Sequence, residues 1–192
     1  NLCLTPPAND ECLDAFVAVD GSNAVSNGSA TESPEPWDFD DGSGGCAGGP
    51  NGGLSSDVWY SYTAVADGTI VVDTCDLINF DSNVGVYSGD CSALVTLGGS
   101  CDTTGCGGFT GTTAPIAVNA GETFLIRIGT WQGDPGGEGT FNINFSAAGD
   151  ECDTALMAME GDNAIDTTMF TDSADAFDDT VCDPGSAGEM LQ

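Results

Sequence analysis

The sequence predicts an all-β fold: an antiparallel β-sandwich of jelly-roll type, stapled by disulfides and set in tandem repeat. Three observations carry this expectation. First, the 192 residues include 28 Gly with abundant Ser, Thr and Asp, and short alternations of apolar and polar residues recur where helical periodicity is absent. Second, nine cysteines occur with no CxxC pair and no His, which reads as a disulfide framework in an oxidising, extracellular compartment rather than as zinc ligands. Third, a block of sequence recurs at an offset of 140 residues.

The recurrence starts at Asp10-Glu11-Cys12, repeated as Asp150-Glu151-Cys152. Gly21 then matches Gly161, Asn23-Ala24 matches Asn163-Ala164, and Phe16, Val17, Val19 and Val25 match Leu156, Met157, Met159 and Ile165. Further on, Phe39-Asp40-Asp41 matches Phe177-Asp178-Asp179, and Cys46 matches Cys182. Leu2 and Leu4 resemble Ile143 and Phe145. Residues 1–9 are therefore expected to be the last strand of a preceding repeat plus a Pro-rich linker. Residues 10–149 form a complete repeat and 150–192 the first part of a following, incomplete one. A one-domain protein with a partly duplicated extension is the alternative.

Within the complete repeat, strands are predicted near 15–19 and 22–26, followed by an acidic, Gly-rich loop over 27–56 that Cys46 is suited to pin. Residues 56–75 hold the densest aromatic and β-branched run. Val58, Tyr60 and Tyr62 alternate with Trp59, Ser61 and Thr63, and Ala66-Asp67-Gly68 supplies a turn, so 57–63 and 69–74 are expected to form a central hairpin. Further strands are expected near 83–88, 93–97, 113–118, 122–130 and 139–146. Phe124, Ile126 and Ile128 should face the core with Arg127 pointing outward, and Phe141, Ile143 and Phe145 should also face inward. Trp59 is either a second core layer or a surface platform.

The formal net charge is −30, from 31 acidic residues against a single basic one, Arg127. Such a chain lacks the Lys and Arg that displace counter-ions from phosphates, which excludes ordinary nucleic-acid binding and disfavours anionic membranes. Without His or Lys it lacks the parts of Ser-His-Asp, Cys-His and Ser-Lys machinery, so no enzyme is expected. No apolar run approaches the roughly 20 residues of a membrane span, and no signal peptide is visible.

The segments NDEC, DVWYSYTA, GTIVVDTC, FDSNVGVYSGDC, AGETFLIRIGTW and GTFNINF together resemble the Cys-rich relatives of the bacterial pre-peptidase C-terminal (PPC) domain, over about residues 10–146. The resemblance implies a secreted β-sandwich, appended to or repeated within large extracellular proteins, with adhesive, binding or spacing roles and no catalytic residues. Relatives carry an acidic pair where this chain has Asp102 followed by Thr103.

Because Cys12 and Cys46 recur together as Cys152 and Cys182, the expected bridges are Cys12–Cys46 and Cys152–Cys182. Cys75, Cys91, Cys101 and Cys106 allow three connectivities, of which Cys91–Cys101 with Cys75–Cys106 is preferred. Cys3 is left over. Carboxylate oxygens suit Ca²⁺, and the candidate ligands are Asp73, Asp76, Asp81, Asp90 and Asp102, with Asp38, Asp40 and Asp41 in the long loop. Trp37 and Trp131 are candidate glycan platforms. Asn27 and Asn144 begin N-x-S/T sequons. The reading is a structural repeat or subunit of an extracellular fibre or cell-surface stalk, built end to end from identical units in a helical or linear assembly. The alternative is a carbohydrate- or matrix-binding module of a larger secreted enzyme.

Overall fold

The computed structural model describes residues 5–35, 37, 39, 46, 53–150, 155–165 and 167–170. The chain divides into two compact units, Asn1–Phe145 and Ser146–Gln192. No α-helix occurs among the described residues, and hence none long and apolar enough to cross a membrane.

Nine strands form among the described residues, near the positions that alternation predicts. In chain order they are β1 (Phe16–Val17), β2 (Gly21–Ser26), β3 (Leu54–Thr63), β4 (Gly68–Asp73), β5 (Ser82–Ser88), β6 (Val95–Ser100), β7 (Ile116–Val118), β8 (Thr123–Trp131) and β9 (Glu138–Ala147). They make two sheets, one of order β1-β3-β8-β5-β6 and one of order β2-β9-β4-β7. Val58, Tyr60, Val84, Ile126 and Ile128 of the first sheet meet Ile70, Val72, Phe141 and Ile143 of the second in one buried cluster. Each such side chain contributes roughly 1.5–3 kcal/mol by leaving water.

The central hairpin does not form. β3 and β4 lie in different sheets, and β3 pairs with β8 instead, with Tyr60 opposite Ile126 and Val58 opposite Ile128. The turn after Thr63 carries the chain across the sandwich, so Tyr62 and Ile70 meet through side chains in the core rather than through a ladder. Apolar alternation marks a strand's buried face but does not name its hydrogen-bonding neighbour. Another departure is that β1 is only two residues long and runs parallel to β3, with Phe16 opposite Tyr60.

The first sheet is covered on both faces. Arg127 projects away from the sandwich core, as expected, yet it is fully buried. It pairs with Asp57, Nε donating at 2.8 Å and Nη2 at 3.2 Å. Its other donors reach the carbonyls of Glu35 (2.8 Å) and Ser33 (3.2 Å), and the guanidinium lies 5.1 Å from the centre of the Trp59 ring. Trp59 is therefore a second core layer. Its indole N–H donates to Ser33 Oγ at 2.8 Å, and the residue packs with Tyr87 and Cys12. Arg127 is not solvated because the start of the long loop folds back over this face: Asp10 accepts from the backbone and hydroxyl of Thr31, both at 2.7 Å.

The disulfides tie that covering layer down. They join Cys12 to Cys91, Cys46 to Cys101 and Cys75 to Cys106. Cys75–Cys106 is the preferred pairing, whereas Cys12–Cys46 and Cys91–Cys101 are replaced. Cys12 lies beside Trp59 and Tyr87, while Cys46 lies with Trp37 and Leu54 against Cys101. Cys12 and Cys46 are thus bonded to the two ends of the β5–β6 hairpin, Cys91 in its turn and Cys101 just after β6, rather than to each other. Three disulfides indicate an oxidising environment. Cys3, Cys152 and Cys182 fall outside the described residues.

In the second unit, residues 155–165 repeat a local structure of the first. In the first unit Asn23 Oδ1 accepts from Val19 N, and its Nδ2 donates to the carbonyls of Val19 and Gly21, at 2.9, 2.8 and 3.0 Å. Asn163 makes the same three bonds with Met159 and Gly161, at 2.8, 2.8 and 2.9 Å. Gly21 and Gly161 both hold positive φ, +81° and +109°, a region that glycine enters without strain.

Candidate functional site

Among the described residues, a cleft of about 350 Å³ opens at one end of the first sheet, lined by Asp81, Asp102, Phe109, Trp131 and Asp134. Strand register builds it. Ser82 lies opposite Thr130, so Asp81 and Trp131 are adjacent on the next rung, where Trp131 N donates to the Asp81 carbonyl at 3.3 Å. The turn after β8 brings Asp134 back: its N–H donates to the Trp131 carbonyl at 2.8 Å, and the Asp134 carbonyl accepts from Thr130 Oγ1 at 3.0 Å. Asp102 follows Cys101, which the bridge to Cys46 anchors. Phe109 is held by its carbonyl, which accepts from Ser82 N at 3.1 Å, and 66% of it is exposed.

The electrostatics of the cleft are one-sided. Burial, followed by the charges of Asp102 and Asp134, pushes the Asp81 carboxyl up to about 6. No hydrogen bond from a described residue reaches the side chains of Asp81, Asp102 or Asp134. The chain's one basic side chain is committed to Asp57.

The five expected calcium ligands do not come together. Asp73 accepts from Thr112 Oγ1 (2.6 Å) and Cys75 N (3.0 Å), and Asp76 accepts from Gly107 N (2.7 Å). Asp90 is held below the usual carboxylate range by the hydroxyl and amide of Ser92. These three are turn acceptors, which leaves Asp81 and Asp102 to meet in the cleft. Among the described residues no group of three or more His, Cys, Asp or Glu is placed to hold a metal ion. Asp38, Asp40 and Asp41 fall outside the described residues.

The aromatic candidates separate as well. Trp37 is buried against Phe39 and the Cys46–Cys101 bridge, and so is not a platform. Trp131 is half-buried in the cleft wall. Of the sequons, Asn27 is fully buried, donating to the Ser56 carbonyl (2.7 Å) and accepting from Gly137 N (2.8 Å), whereas Asn144 is exposed on β9. Sequence reasoning missed Asp134 and Phe109. The one available signal for Asp134 was its place in the Gly-Asp-Pro-Gly turn that must follow a strand ending at Trp131.

The chain matches no family model and no curated protein.

Proposed function

We propose that this chain is a repeating structural module of an extracellular fibre or cell-surface stalk: a jelly-roll β-sandwich related to the Cys-rich PPC domains, non-catalytic and assembled end to end. The observation that supports it best is the duplicated Asn turn. A three-bond arrangement spanning five residues, with matching apolar positions within and on either side of it, recurs from 19–23 to 159–163. Around the second turn Leu156, Met157, Met159 and Ile165 are 71–90% exposed. Of their counterparts in the first unit only Val25 is buried; Phe16, Val17 and Val19 are 50%, 81% and 58% exposed, the first two on a sheet edge. Residues 155–165 thus carry the apolar pattern of a sandwich edge, as the start of another copy would. A stapled module of this kind also suits a load-bearing role, since bridges tie the covering segments to the ends of the β5–β6 hairpin.

The test is electron microscopy of the native protein at physiological ionic strength, together with its denatured, reduced mass. Filaments with an axial repeat of one domain are expected. Monodisperse particles that bind an immobilised glycan would overturn the reading in favour of a binding module. That alternative has less support, because Trp37 and Trp59 are both internal.

A further inference from the structure

We propose that the groove between β1 and β2 accepts residues 155–159 of a second copy of this chain as an added strand, paired with the open edge of β2. This rests on the reading of the chain as one of many identical copies, and it names the surfaces through which they meet. The groove holds about 650 Å³ and is lined in part by Pro7, Phe16, Val25, Tyr60 and Leu77. Glu138 is the one carboxylate among its lining residues.

The open edge follows from the ladder. Asn27 N donates to the Gly137 carbonyl at 3.0 Å. Val25, Asn23 and Gly21 lie opposite Gly139, Phe141 and Ile143 in the same unbroken register. Bonded pairs alternate along an antiparallel ladder, so these three residues bond β9, and the backbone groups of Ser22, Ala24 and Ser26 point away from it. β2 ends its sheet, and Ser22, Ala24 and Ser26 are exposed. Among the described residues the one donor that reaches their outward groups is the Tyr60 hydroxyl, on the Ala24 carbonyl at 2.9 Å. Edge strands are commonly guarded by charge, proline or a bulge, and β2 has none of these.

Charge selects the occupant. Copies of a chain with 31 acidic residues and one basic residue, itself buried, repel wherever their carboxylates face each other. They can close only where both sides are nearly free of charge. The groove and β2 provide such a surface, and residues 154–159, between Asp153 and Glu160, provide the matching uncharged segment. Residues 155–159 form no strand, and Leu156, Met157 and Met159 are exposed. Side chains alternate along a strand, so Met157 and Met159 enter the groove together, against Phe16, Val25 and Leu77, while Leu156 faces away. Methionine suits an irregular apolar cavity because it is unbranched and flexible. Donor and acceptor are different surfaces, so the contact is heterologous and its repetition builds a line of copies.

The test uses the whole chain in about 0.15 M salt, which screens charges more than about 8 Å apart. Met157→Asp/Met159→Asp disables the donor, and Ala24→Glu puts a carboxylate on the acceptor edge. All three positions are exposed, so the melting temperature of each variant should match that of the parent. Sedimentation should show the parent growing in size with concentration, and each variant associating at least about tenfold more weakly. The decisive sample is an equimolar mixture of the two variants. Each supplies the surface that the other lacks, so heterodimers should form and growth should stop at two. A parent that stays monomeric overturns the proposal and leaves the groove to a partner of another sequence. Variants that assemble as the parent does, or a mixture that fails to pair, also overturn it, and filaments of the variants would leave the fibre reading standing. A parent that stops at closed dimers, with the mixture still pairing, upholds the added strand and removes the fibre.

Discussion

Removing one partner of the Arg127–Asp57 pair should be the most damaging single change to the first unit. Both side chains are fully buried. In Asp57→Asn the shape is kept and the Ser33 amide retains its acceptor. Arg127 then has the carbonyls of Ser33 and Glu35 and the Trp59 ring to offset a full charge. An uncompensated buried charge costs about 3–5 kcal/mol, which lowers the melting temperature by roughly 6–20 °C in a chain of this size. Arg127→Met strands Asp57 instead, with a loss of similar size. The double variant Asp57→Asn/Arg127→Met removes both charges, so it should cost at least about 2 kcal/mol less than the sum of the singles. The assay is denaturant unfolding at pH 7 with the disulfides intact. Single losses below about 1 kcal/mol, adding without coupling, would mean that water reaches this face, and the two-faced packing of the sheet would be refuted.

Four further outcomes follow. The Asp81 carboxyl lies near 6 in the folded state against an ordinary 3.8, so its contribution to stability is present below about pH 4 and lost as pH rises through 6. Asp81→Asn should therefore leave the melting temperature unchanged near pH 4 and raise it above that of the parent by pH 7.5; the opposite trend counts against the cleft's electrostatics. Peptide mapping without reduction should recover Cys12–Cys91, Cys46–Cys101 and Cys75–Cys106, and recovery of Cys12–Cys46 would reject the covering layer. Gly129→Ala places a Cβ 2.7 Å from Leu54 Cδ1 and 2.8 Å from Asp57 Cβ, which should cost about 1–3 kcal/mol by overpacking, read by the same unfolding assay. Secretion from a glycosylating host should yield a glycan at Asn144 and none at Asn27, checked by mass spectrometry of the two sequon peptides.

The strands were legible because alternation reports which side chains leave water. Val58, Tyr60 and Tyr62 point into the core, as do Phe124, Ile126 and Ile128. Pairing was less legible. The Ala66-Asp67-Gly68 turn looks the same whether the chain returns along its own sheet or crosses to the facing one. The outer layer was hidden for a different reason. Trp59 and Arg127 sit at the positions that alternation assigns to solvent, and what covers them comes from residues 9–12 and 31–35, which carry no periodicity. The bridges went astray with it. Cysteines that recur together suggest a mutual bond, but Cys12 and Cys46 are alike in another way, each bonding one end of the β5–β6 hairpin. In the cleft, Asp81 and Asp102 could be read as carboxylates available to a ligand, but their convergence with Asp134 depends on which strand lies beside which.

The burial of Arg127 also constrains any contact that two copies of this chain would make. With the one basic side chain inside, each side-chain charge turned outward is negative, and no ion pair between side chains can form across a contact between two copies. Contact must rely on apolar patches, covalent continuity or borrowed cations. The repulsion it works against is screened over about 10 Å at 0.1 M salt and over about 30 Å at 0.01 M. Ionic strength is then the natural control on association: copies that pack in brine should separate in fresh water unless a peptide bond already holds them together.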